Sequence, residues 1–123
     1  MSQPVFEITQ AANFDAAHFL PAGPPDSDYR RMHGHSFRVE ATVRGKAEPP
    51  VGWVADLGQL EAALKQIATT LDHGVLNDHP GLESPTLERL CVYFAERMKP
   101  DFPGLARVVV SRPSVGESCA MAV

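Results

Sequence analysis

The chain has 123 residues, of which 44% are hydrophobic and 21% charged, the balance of a soluble globular protein and not of a disordered one. For one domain of this size, surface scaling leaves roughly 6,500 Å² exposed out of about 19,000 Å², enough for one modest core without disulfides or structural metal. With 11 Lys+Arg against 15 Asp+Glu the net charge is −4, so no overall field draws in polyanions and nucleic acid is not expected as a partner.

No apolar run approaches the ~18 residues of a membrane span, and the first ten residues lack a basic region followed by an apolar one. A cytoplasmic protein is expected. Cys91 and Cys119 cannot form a disulfide framework and should remain thiols in a reducing compartment. Pro and Gly do not pool into a linker. They punctuate the chain at 21–25, 45–52, 80–85, 100–104 and 113–116, as loops within a single domain spanning residues 1–123.

Residues 5–20 read as extended, with Phe6, Ile8, Phe14, Phe19 and Leu20 among polar neighbours. From His35 to Gly45 the pattern alternates: His35, Phe37, Val39, Ala41 and Val43 share one face of a half-buried strand. Asp56, with Gln59 three positions on, predicts a capping box opening a helix whose stripe is Leu57, Leu60, Leu64, Ile67 and Leu71. Ser84-Pro85 predicts the start of a second helix, with Pro85 in its first turn and a stripe of Leu87, Leu90, Cys91, Phe94 and Met98. Val108–Val110 and residues 119–123 close the chain as strands. The order ββααββ predicts an α+β fold, in which two helices cover one face of a four-stranded antiparallel sheet. Its open edges favour self-association.

His33-Gly34-His35 carries the chemistry. Residues two apart on an extended chain point to one side, so both imidazoles converge, and His18 can reach them if the first two strands form a hairpin. Three neutral imidazoles leave a fourth tetrahedral position open, as in a catalytic zinc site, although such a pair also occurs without metal. In Asp72-His73 a carboxylate beside an imidazole can fix its tautomer and raise its pKa, or His73 can simply cap the first helix. Glu88 suits a helix N-terminus, Cys91 reads as core, His79 as a turn residue, and Arg30 and Arg31 as a solvated loop pair able to meet phosphates.

Six stretches in register resemble the 6-pyruvoyl-tetrahydropterin synthase and 6-carboxytetrahydropterin synthase family. They are Phe14-Asp15-Ala16-Ala17-His18, His33-Gly34-His35-Ser36-Phe37, Gly52-Trp53-Val54-Ala55-Asp56, Leu71-Asp72-His73, Leu76-Asn77-Asp78 and Pro85-Thr86-Leu87-Glu88. The resemblance implies the tunnelling fold, with trimers closing a barrel and two trimers stacking into a homohexamer. It implies Zn²⁺ on His18, His33 and His35, an Asp72–His73 proton-transfer dyad, and Thr86 and Glu88 at the substrate. The bacterial branch, which the stretches 52–53 and 82–86 resemble most, converts dihydroneopterin triphosphate to 6-carboxytetrahydropterin with release of acetaldehyde and triphosphate, on the route to queuosine.

Two positions depart from the family pattern. Where the family places a catalytic Cys, four residues before the first His of the HGH tripeptide, this chain has Tyr29. Its ordinary pKa of about 10 makes a poor base unless the zinc or Arg30 and Arg31 lower it, so the candidates for the base are Tyr29 itself and Asp28 or Asp26 in its place. Where the family ends its third strand with the Glu that grips the pterin ring, this chain has Arg112, which offers donors only. Glu117 is the next carboxylate and is expected to serve only if the intervening loop rearranges. Arg30, Arg31 and Arg112 are the candidates to meet a triphosphate. The alternatives are a relative acting on another pterin or purine, and a pterin-binding protein without turnover.

Overall fold

In the computed structural model, which describes residues 3–123, β1 (Phe6–His18) and β2 (His33–Gly45) pair antiparallel along their whole lengths, from Phe6 opposite Gly45 to His18 opposite His33. β3 (Leu105–Arg112) pairs with β2 and β4 (Glu117–Ala122) with β3, giving the sheet order β1-β2-β3-β4. Between β2 and β3 the chain forms α1 (Leu57–Leu71), packed on β1, and α2 (Leu87–Met98), packed on β3 and β4. This is the ββααββ order expected. Among the described residues no helix is long and apolar enough to cross a membrane.

The core follows from strand alternation. Ala12, Phe14 and Ala16 from β1 and Phe37, Val39, Ala41 and Val43 from β2 are buried on the face that the helices cover. There the Phe14 ring stacks on Phe37 at 5.1 Å between centroids and lies 5.9 Å from Phe94 of α2. The strands run longer than their apolar patterns suggest. β2 begins at His33, and β4 at Glu117, because antiparallel pairing continues as long as the partner strand does.

The helices refine two expectations. Of the expected capping box, the Asp56 half forms, its carboxylate accepting from the Gly58 and Gln59 N–H groups at 2.8 and 3.3 Å. The inward stripe is Leu60, Leu64, Ala68 and Leu71. Leu57 is 46% exposed, and the 3.6-residue period draws the inward line between Ile67 and Ala68. The second helix begins later than expected. Thr86 is its N-cap, with its hydroxyl accepting from the Arg89 N–H at 3.2 Å, so Pro85 precedes the helix and does not open it. All five residues of the expected second stripe are buried.

Phe94→Ala removes a fully buried ring from the contact between α2 and the hairpin, and should cost about 3–5 kcal/mol in denaturant unfolding. Asp56→Ala, which strips the α1 cap, should cost about 1 kcal/mol in the same measurement.

Candidate active site

The last rungs of the β1–β2 ladder set His18 opposite His33 and Ala16 opposite His35. All three imidazoles therefore fall on the helix-covered face, and one nitrogen from each lies within 4.8 Å of the others. The remaining hydrogen bonds decide which nitrogens converge. His18 donates from Nδ1 to the Pro85 carbonyl at 3.0 Å, just before α2, and His33 donates from Nδ1 to the Arg31 carbonyl at 2.6 Å. With Nδ1 the donor on each ring, the two Nε2 atoms face one another 3.1 Å apart, and in the neutral tautomer each offers a lone pair. His35 Nε2 is buried beside them without a hydrogen-bond partner. Lone pairs brought this close repel one another, and a cation among them relieves this. The donor set fits a divalent metal that favours imidazole, with the orienting Nδ1 bonds that such ligands usually have. Burial pushes the His18 imidazole down to about 4. Burial, and then the Arg112 guanidinium, lowers His35. Both rings are thus neutral, as metal ligation requires.

Asp72 and His73 lie where α1 ends, alongside the free edge of β1. Asp72 is the C-cap, and His73 takes a left-handed conformation at φ +56°. A carboxylate at a helix C-terminus opposes the dipole. Here it is held by the Asp15 N–H at 2.8 Å and by His73 Nδ1 at 2.8 Å, and these two donors keep its pKa below the ordinary carboxylate value. The same bond raises the pKa of His73. His73 therefore does more than cap the helix: it is paired through Nδ1 and highly exposed, so Nε2 opens to solvent. Its cleft, of about 660 Å³, is lined by Asp15, Gly34, Ser36, His73 and Ser114 among others.

Asp15 and Ser36 belong to the face away from the helices. The cleft of His73 opens on that face, whereas the three histidines alternate with the core residues of the helix-covered face, and of the three only His35 also borders the cleft.

Arg112 and Glu117 are brought together without any rearrangement of the loop between them. The turn Pro113–Val115 and Gly116, at φ +69°, make them ladder partners with a 2.9 Å ion pair. Arg112 is near enough to the histidines for its charge to disfavour their protonation. Tyr29 and Asp28 occupy a short turn, Asp28–Arg30, in the segment that leads into His33, and both are exposed. Arg30 bonds the Gly23 carbonyl through Nε at 2.8 Å, and Arg31 reaches Asp28 at 4.0 Å. Arg30 and Arg31 share a shallow hollow with Asp26 and Ser27. The Thr86 hydroxyl is engaged as a cap, Glu88 is exposed in the first turn of α2, and Cys91 is core.

Three orienting groups escaped the sequence reading. Two are the Pro85 and Arg31 carbonyls, which leave no mark in residue type. The third is Asn77, whose side chain accepts from the Phe19 N–H at 3.1 Å and donates to the Phe19 carbonyl at 2.8 Å, pinning the end of β1 beside His18. A lone Asn inside one of the matching stretches was its only signal.

Comparison with known proteins agrees with this architecture. Residues 7–122 match the family described as 6-pyruvoyl tetrahydropterin synthase, and the chain belongs to that family. It is 39% identical over 109 residues to the 6-carboxy-5,6,7,8-tetrahydropterin synthase of Synechocystis sp., covering 84% of this chain and 83% of that one. To a dihydroneopterin monophosphate aldolase of Pyrococcus furiosus it is 31% identical over 97 residues, 79% of this chain and 78% of that one. The structure of Caenorhabditis elegans 6-pyruvoyl tetrahydropterin synthase shares the fold, with a TM-score of 0.85 over 100% of this chain and 99% of that one at 22% identity.

The dyad has a defined pH window. His73 is raised, so its share of the pairing is complete below the ordinary histidine pKa and is lost as pH rises through its raised value. Asp72 is lowered, so its share is lost as pH falls through its depressed value. In an NMR titration, Asp72→Asn should bring the His73 transition down toward that of free histidine.

Proposed function

We propose that the protein is a zinc-dependent pterin lyase of the 6-carboxytetrahydropterin synthase type, acting on 7,8-dihydroneopterin triphosphate. The observation that carries this reading is the convergence of three imidazoles, two of them oriented through Nδ1 by main-chain carbonyls so that Nε2 faces the others, in a member of this family. His18, His33 and His35 hold the metal. Zinc bound there supplies a Lewis acid for the hydroxyls of the pterin side chain.

The remaining work falls to the chain's own groups. Asp72 fixes the Nδ1–H tautomer of His73, leaving Nε2 to take up and return a proton. Tyr29 or Asp28, on the turn before His33, acts as the base in place of the family's Cys. Arg30 and Arg31 meet the phosphates. Glu117, held by Arg112 near His35, accepts from the N–H groups of the ring, and Thr86 and Glu88 flank the substrate. Of the three metal ligands only His35 borders the cleft of His73, and its ring turns to the other face, so a complete site needs His73 of one copy near the histidines of another. This supports a homohexamer built from trimers whose free sheet edges pair.

The Pyrococcus relative favours a second reading, an aldolase acting on dihydroneopterin monophosphate. One experiment separates the two. Zinc-loaded protein is given each phosphate ester, and the aldehyde and pterin products are followed. Acetaldehyde and triphosphate from the triphosphate ester, reduced at least about 100-fold by His33→Ala, support the lyase. A phosphorylated two-carbon aldehyde from the monophosphate supports the aldolase, and turnover of neither overturns both. Tyr29→Phe and Asp28→Asn then assign the base, which is the residue whose loss lowers kcat about 100-fold or more.

A further inference from the structure

A second carboxylate stands behind the dyad. Asp15, on the exposed face of β1, touches both members through its main chain: its N–H donates to Asp72 Oδ1 at 2.8 Å, and its carbonyl accepts from the His73 N–H at 2.7 Å. Its side chain is held in turn. Ser36, its ladder partner on β2, donates from Oγ to Asp15 Oδ1 at 2.5 Å. Among the described residues no Lys or Arg forms an ion pair with Asp15, so its charge is left to act on the cleft that it lines together with His73.

We propose that Asp15, clamped by Ser36, is a positioning residue for His73: its main chain fixes where the ring stands over the cleft, and its carboxylate adds a second negative charge beside that of Asp72. The inference rests on the reading of His73 as the proton carrier. The geometry explains how an exposed side chain keeps one location. A left-handed residue just past a helix end has little else to hold it, and Asp15 supplies a rigid strand as its anchor. The charge contributes in the same direction, since Asp15 adds to Asp72 in favouring the protonated ring. The charged groups facing His73 are Asp72 on its own segment and Asp15 on β1. Uncharged Ser36 from β2 and Ser114 from the β3–β4 turn also line the cleft, as does His35, whose ring belongs to the helix-covered face.

The test uses Asp15→Asn, which keeps both main-chain bonds and an acceptor for Ser36 while removing the charge, and Asp15→Glu, which keeps the charge. His73 is followed by NMR titration of the protein without substrate, and kcat and KM are measured on the metal-loaded enzyme. The expected result is a lower His73 transition in Asp15→Asn, with kcat down about fivefold, KM unchanged and the pH limb of activity moved the same way. Asp15→Glu should restore most of each change. An unchanged His73 transition in Asp15→Asn would overturn the inference. Absence of turnover in the wild type would instead sink the functional reading, while the titration still decides the role of Asp15.

Discussion

The register of the β1–β2 hairpin is the constraint on which the site rests. Thirteen rungs run without a break from Phe6 opposite Gly45 to His18 opposite His33. Side chains alternate between faces, so a slip of one residue would turn His18 outward and bring Asp15 and Ala17 to the helix side. What resists the slip is ordinary packing: Phe14 on Phe37, Ala12 beside Val39, and the Thr9–Thr42 hydroxyl bond at 2.8 Å. The histidines contribute little to that resistance. Removing neutral rings from water and facing their lone pairs together is costly, and the apolar part of the hairpin sustains the arrangement.

The same alternation divides the chemistry between two environments. On the helix-covered face, exclusion of water keeps His18 neutral. On the open face, solvent would leave His73 an ordinary imidazole, and carboxylates are needed to alter it. Burial tunes one set of imidazoles and charge tunes the other, with a single layer of backbone between them. A sheet covered on both faces could not offer this contrast.

Much of this was legible from residue order, because it depends on periodicity. The ββααββ order, the second helical stripe and the convergence of His33 and His35 all follow from which side a residue faces. The parts that were not legible depend on main-chain position. Thr86 and not Ser84 caps α2 because its hydroxyl happens to meet the Arg89 N–H, a shift of two residues. Arg112 and Glu117 read as separated by five positions, yet a tight turn makes them neighbours. The carbonyls of Arg31 and Pro85 are present at every residue of every chain, and only folding singles these two out.

Those two carbonyls have a consequence for how the family's sequences can vary. An acceptor that belongs to the backbone survives exchange of its side chain, so residues 31 and 85 can drift in identity while the imidazole tautomers stay fixed. The same acceptor is sensitive to chain length. One residue inserted or deleted between Arg31 and His33, or one inserted between Pro85 and the cap at Thr86, would rotate the carbonyl away and free the ring. Variation near the histidines should therefore be rich in substitutions and poor in insertions and deletions, a pattern that marks spacing, more than composition, as the inherited property of this site.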